Sequence, residues 1–369
     1  MVSDVLSRRA LGRATLARQV LLERAPWPAL DAVRHLVGMQ AQVPLNPYVG
    51  LWSRLEGFQH DELAGLLVSR QVVRTVVMRA TLHLVTADDC LTLRPLMQPV
   101  LDGELARHRD FGPALRGIDM APILDFARPL FAERPMTGGQ LRAAMQERFP
   151  EHDARALAYA CRNRLALVQV PPRGVWGRSA QVTYSTAEAW LERPLAAEPS
   201  IDTVVLRYLA AFGPATVADV AAWSRLTAMR EVVERLRPHL RTFRDDRGRE
   251  LFDVPEGRRP GSDTPGPARF LPEYDNVLLS HADRSRFGTE ETRQGLTMAT
   301  APMRGTFLWD GAVRGTWSIQ RDRSTAATLV IAHPGPLPAA GRAALEAEGE
   351  RFLRFAAEDA AANEVRFES

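Results

Sequence analysis

Thr203-Val204-Val205-Leu206-Arg207-Tyr208-Leu209-Ala210-Ala211-Phe212 is followed at once by Gly213-Pro214. The first ten residues predict a helix, and the Gly-Pro pair ends it. Thr216-Val217-Ala218-Asp219-Val220-Ala221-Ala222-Trp223 predicts a short second helix, and Met229–Leu236 a third. Leu240–Phe243 and Glu250–Val254 then flank Asp245-Asp246-Arg247-Gly248, which reads as a hairpin turn between two strands. The unit is three helices and a hairpin.

Two earlier stretches repeat that order. In residues 10–110, Leu30, Val33, Leu36 and Val37 lie at helical spacing. Tyr48–Leu55 predicts a second helix, and a third starts at His60-Asp61-Glu62-Leu63. The alternating run from Val72 to Val85 predicts strand and wing. In residues 121–191, Thr137-Gly138-Gly139-Gln140 reads as a turn and cap before a helix over Leu141–Phe149, and His152–Asn163 as another helix. Leu167–Val170, Pro171–Gly177 and Val182–Tyr184 read as strand, loop, strand. After Glu256–Pro267, a Gly/Pro/Arg-rich stretch expected to be a linker or mobile loop, the pattern turns to strands. Thr306–Trp309 and Val313–Trp317 are joined across Asp310-Gly311, and Ala327–His333 is a further strand. Leu337–Ala362 predicts an amphipathic helix, followed by a short tail. The fold class expected is α+β: three tandem winged-helix modules, a C-terminal β-rich part and a terminal helix. The domains expected are 1–115, 116–198, 199–258 and 259–369. Winged helices commonly set a helix or wing against DNA, and also serve as protein-binding modules.

Composition narrows the chemistry. The chain has 369 residues, 46% hydrophobic and 25% charged, enough for a sizeable core. It contains no lysine, so all 47 basic residues are arginines. A GC-rich codon bias explains this, but the consequence holds whatever the cause. Lysine Schiff bases are unavailable, which excludes PLP enzymes, and a Walker A loop would lack its lysine. Cys90 and Cys161 stand alone, and no HExxH or HxH spacing occurs, so neither a disulfide framework, a metal site nor any cofactor is expected. No transmembrane run or signal peptide is seen, and a cytoplasmic location is the expectation. The formal net charge is +3, divided unevenly: residues 338–369 carry −3 and the remainder +6. The acidic end is expected to lie away from a more basic working face.

Gln40-Ala41-Gln42 follows a helix expected to end at Gly38 and precedes Pro44, which disfavours helix for Val43. Residues 39–44 are therefore expected to be extended, with Gln40 and Gln42 on one side. Paired amides can hold a water or meet a base edge. They can also simply cap nearby backbone.

His35-Leu36-Val37-Gly38-Met39-Gln40-Ala41-Gln42-Val43-Pro44 resembles the signature of the winged-helix DNA glycosylases of the AlkZ (azinomycin-resistance) and YcaQ-like type. Met78-Arg79-Ala80-Thr81-Leu82-His83-Leu84-Val85 is similar to a family strand that usually reads Arg-Gly-Thr-Leu-His, with Ala80 in place of the glycine. Pro172–Arg178 is similar to the family's second wing. Phe270-Leu271-Pro272-Glu273-Tyr274-Asp275-Asn276-Val277-Leu278-Leu279-Ser280-His281-Ala282-Asp283-Arg284-Ser285-Arg286 matches a segment near the start of its β-rich part. The resemblance spans roughly residues 10–335. It implies a monomeric, monofunctional enzyme acting on double-stranded DNA that carries alkylated purines. Gln40 and Gln42 would be catalytic. Gln rather than Asp at the second position is the AlkZ-like variant, which is associated with bulky adducts, interstrand crosslinks and self-resistance to natural genotoxins.

That chemistry is self-consistent. An N7-alkylpurine is already cationic and leaves without a general acid. A water attacking the cationic sugar carbon needs little prior deprotonation, so two neutral amides can act by positioning and dipoles. Without lysine, strand cleavage by β-elimination is not expected. An open groove would spare a crosslinked base the flipping that an enclosed pocket demands.

Arg79, Arg173, Arg178, Arg284, Arg286 and Arg304, on wings and loops, are the candidate DNA contacts. Thr81, His83, Tyr274, Asp275, His281 and Asp283 are candidate site-shaping residues. Tyr274, Asp275, His281 and Asp283 can equally form a buried network tying the β-rich part to the helices. Trp309 and Trp317 read as core, or their hairpin tip as a groove probe. The competing function is a non-catalytic winged-helix regulator, and a weaker one a protein-interaction scaffold.

Overall fold

The computed structural model describes residues 5–288, 304–322 and 326–368. The chain starts with β1 (Val5–Leu6) and α1 (Arg8–Arg18). The first unit comprises α2 (Ala29–His35), β2 (Met39–Gln40), α3 (Asn46–Trp52), α4 (His60–Val68) and the hairpin β3 (Val72–Val76) and β4 (Leu82–Thr86). It continues through α5 (Ala87–Leu96), α6 (Gln98–Arg107) and α7 (Gly112–Leu115). The second unit is α8 (Ala121–Glu133), β5 (Met136–Thr137), α9 (Gly138–Arg148), α10 (Ala154–Arg164), β6 (Leu167–Gln169), β7 (Thr183–Thr186) and α11 (Ala187–Leu191). The third is α12 (Ile201–Phe212), α13 (Val217–Ser224), α14 (Met229–Leu236), β8 (Arg241–Asp245) and β9 (Glu250–Asp253). The last is β10 (Arg269–Leu271), α15 (Asn276–Leu279), β11 (Gly305–Trp309), β12 (Ala312–Asp322), β13 (Ala326–Ala332), α16 (Ala339–Ala356) and β14 (Ala362–Glu368). The class is α+β.

Local capping explains why the helices start where they do. Thr137 and Thr216 each accept from the backbone N–H three residues on, and Gln140 and Asp219 answer to the cap's own N–H. Three helices over residues 87–115 had no counterpart in the sequence reading. Thr86 caps the first of them, accepting from the Asp89 N–H.

The strands form three sheets. One is ordered β2-β4-β3-β6-β7-β5, so the hairpins of the first and second units share a sheet that runs across position 115. Leu105 of α6 likewise packs with Ile123, Phe131 and Leu157 of the second unit. A second sheet is β1-β8-β9, in which the N-terminal strand joins the third unit's hairpin. The third is β10-β11-β12-β13-β14. The tail after the terminal helix is thus a strand, β14, parallel to β13 along seven residue pairs. The helix before it ends at Ala356, earlier than expected, because the chain must turn back to reach that edge.

One core joins α3 to the last sheet and α16, through Tyr48, Trp52, Phe270, Phe307 and Phe352. Another joins the β3–β4 hairpin to the third unit's helices, through Val73, Val85, Tyr208, Phe212 and Trp223. Cys90 and Cys161 are fully buried, and burial pushes both thiols up to about 12. They are inert packing residues.

The stretch over 256–267 is not loose. Arginines of α1 grip its carbonyls: Arg18 holds Arg258 at 3.1 Å, Arg9 holds Ser262 at 2.6 Å and Arg13 holds Thr264 at 2.5 Å. Arg9 and Arg13 also pair with Asp310. That pairing docks the β11–β12 tip on α1. Trp309 and Trp317 are half-buried and pack against the first core, and the Trp317 indole N–H donates to the Leu271 carbonyl at 2.8 Å.

Candidate active site

The Gln40 segment is built from both ends of the chain. Helix α2 stops at Val37 (φ +55°) and Gly38 (φ +93°), whose N–H reaches back to the Val33 carbonyl at 3.0 Å. A Cβ on Gly38 would lie 2.7 Å from Val85, so the site needs glycine for space as well as φ. Strand β2 then pairs Met39 with Leu84 and Gln40 with His83. Asn276 clamps it, accepting from the Gln40 N–H at 3.3 Å and donating to the Gly38 carbonyl at 2.6 Å.

The extension is shorter than expected. Ala41 still donates to the Leu82 carbonyl at 2.8 Å, but Gln42 and Val43 bend away and Pro44-Leu45 turns into α3. The reason is pairing: β4 begins at Leu82, so no strand remains beyond Ala41. Gln40 is therefore only 7% exposed, whereas Gln42 is exposed.

Arg79 orients the Gln40 amide. Its Nη2 donates to Gln40 Oε1 at 2.9 Å and meets His83 Nε2 at 3.2 Å, and its Nη1 donates to the Trp223 carbonyl at 3.2 Å. His83 Nδ1 lies 2.9 Å from the Thr81 carbonyl. A carbonyl only accepts, so Nδ1 carries the proton and Nε2 offers its lone pair to Arg79. Burial, then Arg79, drives the imidazole down to about 3, so it is neutral at pH 7. Burial also lowers the Arg79 guanidinium to about 10, with Arg284 and Arg225 adding to the effect. Thr81 shapes the tip by donating its hydroxyl to the Met78 carbonyl at 3.1 Å.

The other motif residues divide. Gln40, Asn276, Tyr274 (φ +62°) and Asp275 line one pocket of about 10 Å³ with Arg54 and Pro272, room for about one water. Asp275 is buried in a two-pronged pair with Arg54, at 2.8 and 2.9 Å. His281 is buried, its Nε2 on the Phe212 carbonyl at 3.1 Å, and Asp283 pairs with Arg249 at 2.8 Å. These last contacts tie the loop after α15 to the third unit. The network reading thus describes Asp275, His281 and Asp283, while Tyr274 and Asp275 line the pocket beside Gln40.

Of the candidate DNA contacts, Arg178, Arg284 and Arg304 are exposed. Arg173 is half-buried, donating to the Ala180 carbonyl at 3.0 Å. Arg79 turns inward to Gln40. Arg286 is buried against Thr15 (3.2 Å) and Asp219 (3.6 Å), so in this structure it is an internal ion-pair residue rather than a surface contact.

Arg225, Arg54 and Arg74 were missed. Arg225 is an exposed, left-handed residue capping α13, close enough to act electrostatically on Arg79. Arg74 had a signal, a charge set inside the apolar run of β3.

The fold finds its counterpart among DNA glycosylases. A family model described as DNA glycosylase AlkZ-like matches residues 33–355, and the chain belongs to that family of DNA glycosylases. Its structure is similar to that of the Streptomyces sahachiroi DNA glycosylase AlkZ, with a TM-score of 0.77 at 21% identity, covering 99% of this chain and 100% of that one. No curated protein sequence matches the chain. Among the described residues, no helix is long and apolar enough to cross a membrane.

Proposed function

We propose that this DNA glycosylase hydrolyses the N-glycosidic bond of N7-alkylated purines in duplex DNA and leaves an intact abasic site. Gln40 and Gln42 are its reacting-site amides. The observation that carries the reading is that the imidazole beside Gln40 is neutral. His83, the titratable side chain beside it, is held neutral with both ring nitrogens engaged, so it is no general acid. A cationic purine needs none.

Gln40, fixed through its Oε1, keeps a second lone pair for a water. Gln42, exposed at the bend, is the amide that DNA can reach. Arg225 and Arg284, with Arg173, Arg178 and Arg304, supply phosphate contacts. The pocket lined by Gln40 is far too small for a purine. A damaged base is thus met at an open surface, which favours bulky adducts and interstrand crosslinks and suits repair or self-resistance to a genotoxin. With no lysine in the chain, no lysine Schiff base forms and the strand is not cut.

The test uses a duplex with a single N7-methylguanine. Strand breaks that appear only after alkali are expected. Breaks without alkali contradict the monofunctional reading, and no breaks in either case contradict the substrate.

A further inference from the structure

Strand β3 reads Val72-Val73-Arg74-Thr75-Val76, and the side chain at its centre is out of place. Arg74 is 2% exposed. Its Nη2 donates to the Ala41 carbonyl at 2.8 Å. Its Nε and Nη1 have no hydrogen-bond partner, and neither has Oε1 of Gln169, which stands opposite Arg74 on β6. The charged and titratable groups acting on it are Arg173, Tyr184 and Tyr48, with no carboxylate among them. Gly174 (φ +91°) lies against its stem, where a Cβ would come 3.0 Å from Arg74 Cδ.

Such a residue is costly. A guanidinium buried without a counter-ion loses its hydration, and each unmade hydrogen bond adds to the loss. An apolar side chain of similar length should serve the fold as well or better. The chain therefore gives up stability here, and what it gains is at Ala41. Gln40 has other anchors in β4, Asn276 and Arg79. The Ala41–Gln42 peptide leaves the sheet, and Arg74 is what holds its carbonyl.

We propose that Arg74 is a positioning residue for the glycosylase reaction: by gripping the Ala41 carbonyl it fixes the Ala41–Gln42 peptide and so the place of the Gln42 amide. This rests on Gln42 being a reacting-site amide. The role is geometric, since the contact Arg74 makes is with the Ala41 backbone carbonyl.

The test compares wild type, Arg74→Met, Gln42→Ala and the double variant on the N7-methylguanine duplex. Single-turnover rate, DNA Kd and melting midpoint are measured for each. Arg74→Met should melt at or above the wild-type temperature and bind DNA within about twofold. It should react about ten- to a hundredfold more slowly, the scale of a small misplacement. The double variant should be no more than about twofold slower than Gln42→Ala, since both changes act on one group. Three results would overturn the proposal: an Arg74→Met enzyme of wild-type rate beside a slow Gln42→Ala, losses that multiply in the double variant, or an Arg74→Met protein that unfolds or melts several degrees lower. Gln42→Ala at wild-type rate would instead remove the reading of Gln42, and the proposal with it.

Discussion

Arg79 and Ala80 both sit in the left-handed region, at φ +58° and +56°. Together they make the tight tip of the β3–β4 hairpin, from which the Arg79 guanidinium returns to Gln40. An L-residue pays about 1–2 kcal/mol for that backbone and glycine pays none. The alanine that stands in place of the motif's usual glycine thus sits at a left-handed φ. Ala80→Gly should raise stability by about 0.5–1 kcal/mol after the loss of a half-buried methyl. A higher urea midpoint would show it, and a lower one would mean that the methyl's packing outweighs the strain. At this scale the sequence announced residue types but not directions. Gln40 and Arg79 stood out as motif members, yet nothing local showed that one is buried and that the other spends its charge inside the protein. Arg74 was visible as a charge in an apolar strand, but its partner at Ala41 is fixed only by the pairing of three strands.

The elements most legible were those whose signals are local. The hairpin across Asp310-Gly311, the helix stopped at Gly213-Pro214 and the capped helix at Thr137 all follow from turn, cap and breaker chemistry within a few residues. Strands β1 and β14 have no such signal. Each is an edge strand whose partner lies far off in the chain or beyond an intervening helix, so register rather than composition creates it. The junction between the β-rich part and the helices was also illegible. Arg54, just past α3, and Asp275, capping α15, are 221 positions apart and bury a two-pronged ion pair. Leaving one charge of such a pair alone costs about 3–5 kcal/mol. Asp275→Asn should lower urea stability by that order while keeping the cap to the Val277 N–H. A loss below about 1 kcal/mol would show that the junction does not depend on the pair.

At the scale of the molecule, α1 acts as a staple. Arg9 and Arg13 reach Asp310, and Arg18 reaches Asp253, so one helix binds the third hairpin to the last sheet. In the sequence these arginines look like any basic patch, because their partners lie more than 200 residues away. Acid should loosen the whole assembly. Burial holds His83 at about 3, and burial with Arg286 holds His281 well below its ordinary 6.5. Both are neutral when folded and charge readily when unfolded. Their contribution is therefore complete above pH 6.5 and is lost as pH falls from about 6.5 toward 3, at about 1.4 kcal/mol per unit per histidine. Urea midpoints should drop between pH 7 and pH 5, and His83→Gln should flatten that drop. A midpoint independent of pH over this range would contradict the neutral assignment on which the absence of a general acid depends.

The most direct measurement is the single-turnover release of N7-methylguanine from duplex DNA by wild type, Gln40→Ala and Gln42→Ala, at matched DNA occupancy. Each substitution should cut the rate by at least about tenfold while leaving the DNA Kd within a few-fold. Base release at the wild-type rate from both variants would show that the two amides do not carry the reaction.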